Sequence, residues 1–392
     1  MPSFLLALIY LVFVSLGLPD ALLGSAWPVM YEDLGARVGA QSFITIVITA
    51  CTIVASLNTA KLMHKVGTGK LVARSVGLTA VSILAFSLCR HLWQLLLVSV
   101  PYGLGAGVVD TALNNYVAVH YGERHMNWLH ACWGIGTSVS PVIMGRALAG
   151  SLSWQGGYLV VGIIQVIITL VVVLSLPMWK TTESGTHGLA EFEETPARSL
   201  RYREALALPG AKTAINSFAC YSAFEGICAL WTTSYLVMAR DVSETNAATM
   251  LSLFYMGITV GRLFSGFVAP HVGNQGMIRR GQIVVAVGLA CLLFGEGFYV
   301  LCTALVLIGL GCAPICPCFI SLTPERFGDD ISQTMVSLQM ACGYIGSAVM
   351  LPVCSLIAFL GWSAFIPVFL ALILAGMVHF GEKTNRILSR RS

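Results

Sequence analysis

Polar residues in this chain come in short clusters, and the apolar stretches between them are long enough to cross a bilayer. At about 20 apolar residues per crossing, twelve stretches qualify: 4–30, 40–62, 70–90, 93–120, 127–149, 156–178, 207–238, 246–269, 278–298, 300–323, 331–359 and 363–382. Short loops join most of them. Residues 180–206 are the exception, a polar stretch carrying Glu183, Glu191, Glu193, Glu194, Arg198, Arg201 and Arg203. The pattern predicts an all-α membrane protein of twelve transmembrane helices in two pseudo-symmetric six-helix bundles. Residues 1–179 form the first bundle, 180–206 a cytoplasmic central loop and 207–392 the second bundle. The loop is either disordered or forms a short amphipathic helix over 198–208. The chain opens on Phe4-Leu5-Leu6 without a basic segment or cleavage site, which predicts a retained first helix.

Internal similarity supports the division. Ala131-Cys132-Trp133-Gly134-Ile135-Gly136 in the fifth span returns as Ala341-Cys342-Gly343-Tyr344-Ile345-Gly346 in the eleventh. Gly103-Leu104-Gly105 in the fourth likewise returns as Gly309-Leu310-Gly311 in the tenth. Two repeats in matching order and position predict parallel halves, an arrangement of transporters that alternate access about a midplane site.

Composition agrees with the pattern: 57% of residues are hydrophobic and 10% charged, against about 25% charged in soluble domains. The net charge of +4 matters less than its placement. With both ends cytoplasmic, the even loops and tail collect Lys61, Lys65, Lys70, Arg74, Arg279, Arg280, Lys383 and Arg386, while the other side keeps little beyond Arg37, Arg90, Arg146 and Arg240. The positive-inside rule therefore predicts cytoplasmic termini in a plasma-membrane protein. Most of the twelve cysteines lie in apolar runs as small hydrophobes, and Cys316-Pro317-Cys318 lacks the partners of a zinc site. No metal, cofactor or nucleic-acid partner is expected. The nucleophile elbows, phosphate loops and dinucleotide fingerprints of soluble enzymes are also missing.

Against this apolar background the charged residues inside spans stand out, because an aspartate at a membrane centre costs about 2.5–3.5 kcal/mol on insertion scales. Asp20, Asp110 and Glu225 lie near the centres of the first, fourth and seventh spans. In a two-half bundle those spans line the cavity, so all three acids are candidates for proton coupling. Desolvation disfavours a charged carboxylate, which suits that role, although a permanently hydrogen-bonded structural acid would read the same way. Asp20 follows Pro19 and precedes Gly24 and Pro28, so the first helix should kink or open there. Asp110 and Asn114 share a face, with Asn115 at its edge. Further substrate-binding candidates are His130 in the fifth span, Tyr221 and Trp231 in the seventh, and Gln339 and Tyr344 in the eleventh, with helix packing the alternative for His130 and Trp231. Arg262, inside the eighth span, reads as a gate or structural ion pair.

Taken together these residues resemble the major facilitator superfamily. Its motif between the second and third helices is degenerate here: Ala60 and His64 replace a glycine and an aspartate, while Lys65, Gly67 and Lys70 still fit. That degeneracy argues against typical drug-efflux branches and leaves Lys65 and Gly67 as gating or structural positions. More narrowly, Asp110-Thr111-Ala112-Leu113-Asn114-Asn115 resembles the helix-4 run of the fucose, galactose and glucose proton symporters. Asn127-x-x-His130 with Gly134-x-Gly136, Gly261-Arg262 and Pro314 to Pro317 are similar to the same branch. The resemblance implies that Asp20 and Asp110 match two membrane acids used for proton coupling and sugar contact, and that Asn114, His130 and Trp133 face the substrate. Departures from that branch are the aspartate at Asp110, where glutamate is frequent, Asn115 in place of a proline, and His130 and Trp133 in place of amides.

The reading is thus a monomeric secondary transporter that imports a small polyhydroxylated solute with protons. Two alternatives stay open: a proton-driven exporter or carrier of drug-like or lipid substrates, and a non-transporting membrane receptor whose deep acids are locked ion pairs.

Overall fold

The computed structural model describes residues 2–120, 123–179 and 202–390, and all regular structure among them is helical. The predicted first span is two helices, α1 (Pro2–Asp20) and α2 (Leu22–Asp33). Then come α3 (Ala40–Val66), α4 (Thr68–Leu88), α5 (Leu92–His120), α6 (Glu123–Ala149) and α7 (Ser153–Leu174). A short α8 (Tyr202–Ala207) lies within the predicted 198–208 helix, whose first residues, like the rest of 180–201, are outside the described residues. Five long helical segments follow as α9 (Ala211–Arg240), α10 (Glu244–Val272), α11 (Asn274–Phe294), α14 (Asp329–Phe359) and α15 (Ile366–Ser389). The predicted tenth span is again a pair, α12 (Phe298–Cys312) and α13 (Ile315–Phe327), divided just before Pro314.

Ten of these helices or helix pairs are long and apolar enough to cross a bilayer. α6 and α9 are as long, at 27 and 30 residues, but polar residues dilute their apolar runs. They are the helices that bear His130, Trp133, Tyr221 and Glu225.

The chain clusters into two compact units, one of Met1–Glu191 with Leu236–Ser252 and the other of Phe192–Tyr235 with Leu253–Ser392. In the first unit Ile9, Val12 and Phe13 of α1, Val72 and Val76 of α4, Leu113 and Val117 of α5 and Leu129 of α6 make a buried core. Leu57, Val81, Phe267 and Phe294 stay exposed. Exposed apolar side chains suit helices whose surroundings are lipid.

The sequence repeats acquire a physical reason inside each unit. A Cβ on Gly136 of α6 would lie 2.2 Å from the Val14 carbonyl of α1, and one on Gly346 of α14 would lie 2.6 Å from the Ala219 carbonyl of α9. On α5, a Cβ at Gly103 would meet the Ile48 carbonyl of α3 at 2.5 Å, and one at Gly105 the Ser75 carbonyl of α4 at 2.9 Å. Their counterparts behave alike: Gly309 faces the Phe254 carbonyl of α10 at 2.1 Å and Gly311 the Gly281 carbonyl of α11 at 2.6 Å. Each repeated glycine is thus a point where one helix backbone lies directly on another.

Pro19 shows how the first span tolerates its break. Proline offers no N–H to the carbonyl four residues back, which is that of Ser15. Gln165 of α7, buried at 1% exposure, supplies the missing donor: its Nε2 donates to the Ser15 carbonyl while Ser15 Oγ donates back to Gln165 Oε1 at 2.8 Å. Helix α1 then ends at Asp20.

Candidate functional site

In the first unit the end of α1 holds Asp20 between two helices. Tyr102 of α5 donates its hydroxyl to Asp20 Oδ1 at 3.0 Å, and Trp133 of α6 donates Nε1 to Oδ2 at 2.8 Å. Each oxygen has one neutral donor, yet the residue remains exposed. Hydrogen bonds to an ionised group are worth roughly 1.5–3 kcal/mol. The Tyr102 ring is itself fixed, edge-on to Phe86 at 6.3 Å, with Phe86 stacked on Tyr158 at 5.4 Å. The close crossing of α1 and α6 brings Trp133 within reach, because a side chain at Gly17 would strike the Trp133 carbonyl at 2.2 Å.

Asp110 is half-buried two turns further along α5 and interacts electrostatically with Asp20. Asn114 Nδ2 donates to Asp110 Oδ1 at 2.9 Å and to the Asp110 carbonyl at 3.0 Å. Asp110 Oδ2 and Asn114 Oδ1 accept no hydrogen bond among the described residues. Two open acceptors on adjacent turns of one helix face can take hydroxyl donors. His130, one turn from Trp133, is exposed and meets Phe13 edge-on at 6.0 Å. The side chains of Asn115 and Asn127 are outside the described residues. Lys65 is exposed near the end of α3, and Gly67, with φ +82°, is the entire link to α4, a conformation open to glycine.

The second unit gathers Tyr221, Glu225 and Arg262. Arg262 Nη2 lies 3.7 Å from Glu225 Oε1, with side chains 20% and 24% exposed. That is longer than the roughly 2.7–2.9 Å of a charge-assisted hydrogen bond. Arg262 also engages the Tyr221 hydroxyl, which donates to the Cys312 carbonyl at 3.2 Å where α12 ends. Trp231 is fully buried and its Nε1 has no partner among the described residues. Gln339 Oε1 accepts the Thr323 hydroxyl at 2.9 Å, and Tyr344 is exposed. Sequence reasoning passed over Tyr102 and Gln165. Tyr102 carried the fainter signal, a lone hydroxyl beside Gly103, whereas Pro19 implies that some donor must replace its own.

A sequence profile described as the Major Facilitator Superfamily matches residues 9–351 and again 227–386. The chain belongs to this superfamily. It is therefore a multi-pass membrane transporter and not an enzyme. An uncharacterized MFS-type transporter of Yersinia pestis is 22% identical over 308 residues, which are 75% of this chain and 74% of that protein. A bacterial homologue of the human lysosomal transporter Spinster, inward-facing and unoccupied, is similar with TM-score 0.74 and 11% identity over 99% of this chain and 98% of its own. A mutant of the nucleoside transporter NupG is similar with TM-score 0.73 and 14% identity over 97% and 98%. At such identities the structures speak for the fold alone.

Proposed function

We propose that this transporter is a proton-coupled symporter of a small polyhydroxylated solute, in the first place a monosaccharide. The observation that carries the reading is the pair of open acceptors, Asp110 Oδ2 and Asn114 Oδ1, on the helix that also presents Tyr102 to Asp20. Asp110 takes up a proton and then, with Asn114, holds the hydroxyls of the solute. Asp20 answers from the end of α1 through Tyr102 and Trp133. Glu225, in its loose pair with Arg262, is the third acid of the proposal. Protonation removes a charge whose burial in the membrane is costly, which lets the loaded carrier reorient. The sugar-symporter resemblance of the Asp110 to Asn115 run supports the choice of solute. The protein works as a monomer in the plasma membrane with both termini cytoplasmic, its bundles 1–179 and 207–392 joined by the loop 180–206.

The test is uptake in proteoliposomes of hexoses, pentoses, polyols and nucleosides under an imposed pH gradient, with an internal pH-sensitive dye. Saturable uptake accompanied by proton entry, both lost in Asp110→Asn, is the expected result. Proton-coupled uptake unchanged in that variant would remove Asp110 from the mechanism. A folded protein that moves no polyhydroxylated solute, but exports a hydrophobic dye, would replace the reading with that of an exporter.

A further inference from the structure

Part of the second half of the chain belongs to the first unit. The unit that holds Met1–Glu191 also holds Leu236–Ser252, which is the last turn of α9 and the first turns of α10. The rest of both helices falls in the second unit. This segment is a stiff hairpin, because only residues 241–243 separate the two helices. Asp241 turns the chain at φ +53°, and the Val242 N–H donates back to the Leu236 carbonyl at 3.1 Å, which caps α9. The Ala247 N–H then donates to the Ser243 carbonyl at 2.8 Å and starts α10.

Within the first unit the hairpin lies on α6 at Gly145, a buried position. A Cβ there would stand 2.4 Å from Thr249 Oγ1, 3.0 Å from the Thr245 carbonyl oxygen and 3.4 Å from the Thr249 nitrogen, so a side chain at this position would push α10 away. The groups that face Gly145 need nothing from α6. Thr249 donates its hydroxyl to the Thr245 carbonyl at 2.9 Å, and Ser252 donates to the Thr249 carbonyl at 2.6 Å, so both are satisfied inside α10. At the tip, Glu244 comes within electrostatic reach of Tyr31 at the end of α2, whose hydroxyl donates to Glu32 Oε1 at 2.9 Å. The two carboxylates are exposed and of like charge, and they add nothing to docking. The crossing of α6 with α1 is different, since there Trp133 donates across the interface to Asp20. Surfaces whose polar groups are satisfied on their own side can part without leaving a donor or acceptor unmet.

We infer that the 236–252 hairpin is a strap that docks on α6 at Gly145 and lifts off it as the transporter cycles, the bare backbone of Gly145 setting the balance between the two positions. Transporters built of two halves alternate access by moving one half against the other. Because α9 and α10 run on from the hairpin into the second unit, such a motion has to bend both helices or break the seam. The helices are held by a hydrogen bond at nearly every residue, and the seam at Gly145 by contact alone. This device rests on the assignment to transporters and asks nothing of the solute or the proton.

The test is a distance measurement by pulsed electron spin resonance on the full chain in lipid nanodiscs, with the labels on non-canonical residues so that the twelve native cysteines are left alone. Leu152, just before α7, and Met238, in the last turn of α9, are both exposed and take labels without touching the seam. The parent should show mainly a short, docked distance. In Gly145→Val a longer one should replace it, the ratio of lifted to docked moving by about ten- to a hundredfold, as overpacking of a close contact implies. A control pair inside the first bundle, Leu88 with Leu152, both exposed, should keep one distance in both proteins. Gly145→Ala should give a smaller shift. Gly145→Ala/Thr249→Ala, which removes the hydroxyl that the new methyl would strike, should bring it back toward the parent. An unchanged Leu152 to Met238 distance in Gly145→Val overturns the strap, as does a parent that shows only the longer distance. A Leu88 to Leu152 distance that spreads equally overturns it too, because the bundle as a whole would then have loosened. Should Gly145→Val not fold, Gly145→Ala and its Thr249→Ala partner decide by the same readings.

Discussion

Asp20 depends on two residues far from it in sequence, Tyr102 at a separation of 82 and Trp133 at 113. Each donor can be deleted with little change of shape. Trp133→Phe and Tyr102→Phe should each lower solute uptake at subsaturating concentration by roughly ten- to a hundredfold, since a hydrogen bond to a charged group is worth about 1.5–3 kcal/mol. The double variant should lose less than the product of the two, because both act on one carboxylate. Uptake assays on matched amounts of protein read this directly, and two fully independent losses would mean that the donors do not share a target. At this scale the acids were legible and their partners were not. A lone Asp among apolar residues declares itself by its cost. A tyrosine in a membrane helix is commonplace, and only the fold shows that Tyr102 lies against the end of α1. Trp133 drew attention as a substrate contact, and the fold shows it as a partner of Asp20. Glu225 and Arg262 were each visible as an expensive charge, Arg262 already as a candidate ion pair, and the packing of α9 beside α10 shows Glu225 to be its partner.

Helix packing was easier to foresee, because glycine repeats mark close approaches in membranes. What sequence left unsaid was which neighbour each glycine admits. Gly136 and Gly346 admit the first helix of their own half, while Gly103, Gly105, Gly309 and Gly311 each admit one of the two helices flanking theirs. A side chain at Gly136 would meet a backbone carbonyl, which cannot step aside as a flexible side chain could. Gly136→Val should therefore destabilise the protein by about 1–3 kcal/mol or more through overpacking, and it should also weaken the Trp133 to Asp20 bond by prising α6 from α1. Thermal unfolding in detergent, with Gly150→Ala as a control whose Cβ would have only ordinary contacts at 3.6 Å, measures the first effect. An unchanged Tm in Gly136→Val would show that the α1–α6 crossing is looser than its geometry. The helix breaks are a mixed case. Pro19 announced the first, and Gln165 as its repair could not be read without knowing that α7 lies behind α1. The division before Pro314 fell inside a span predicted as continuous, because an apolar run shows where a chain crosses the membrane and not whether it bends on the way.

At the scale of the whole transporter, coupling can be separated from exchange. A symporter that carries a proton and a solute together has two ways to move solute: net accumulation, which requires the proton to be released each cycle, and one-for-one exchange, which does not. If Asp110 is the group that must be neutral for the loaded carrier to reorient, Asp110→Asn supplies that neutrality permanently. The variant should then lose gradient-driven accumulation almost completely while keeping solute counterflow within a few-fold of the parent, because exchange never needs the site to deprotonate. Asn114→Ala should do the reverse in kind, impairing both modes together, since it removes a contact with the solute and leaves the acid in place. Radiolabelled solute counterflow and pH-driven uptake, measured in the same proteoliposomes, separate the two patterns. Loss of both modes in Asp110→Asn would show that the solute needs the carboxylate itself, and retention of both would leave the proton to Asp20 or Glu225. The outcome therefore decides which of the three membrane acids links the proton to the cargo.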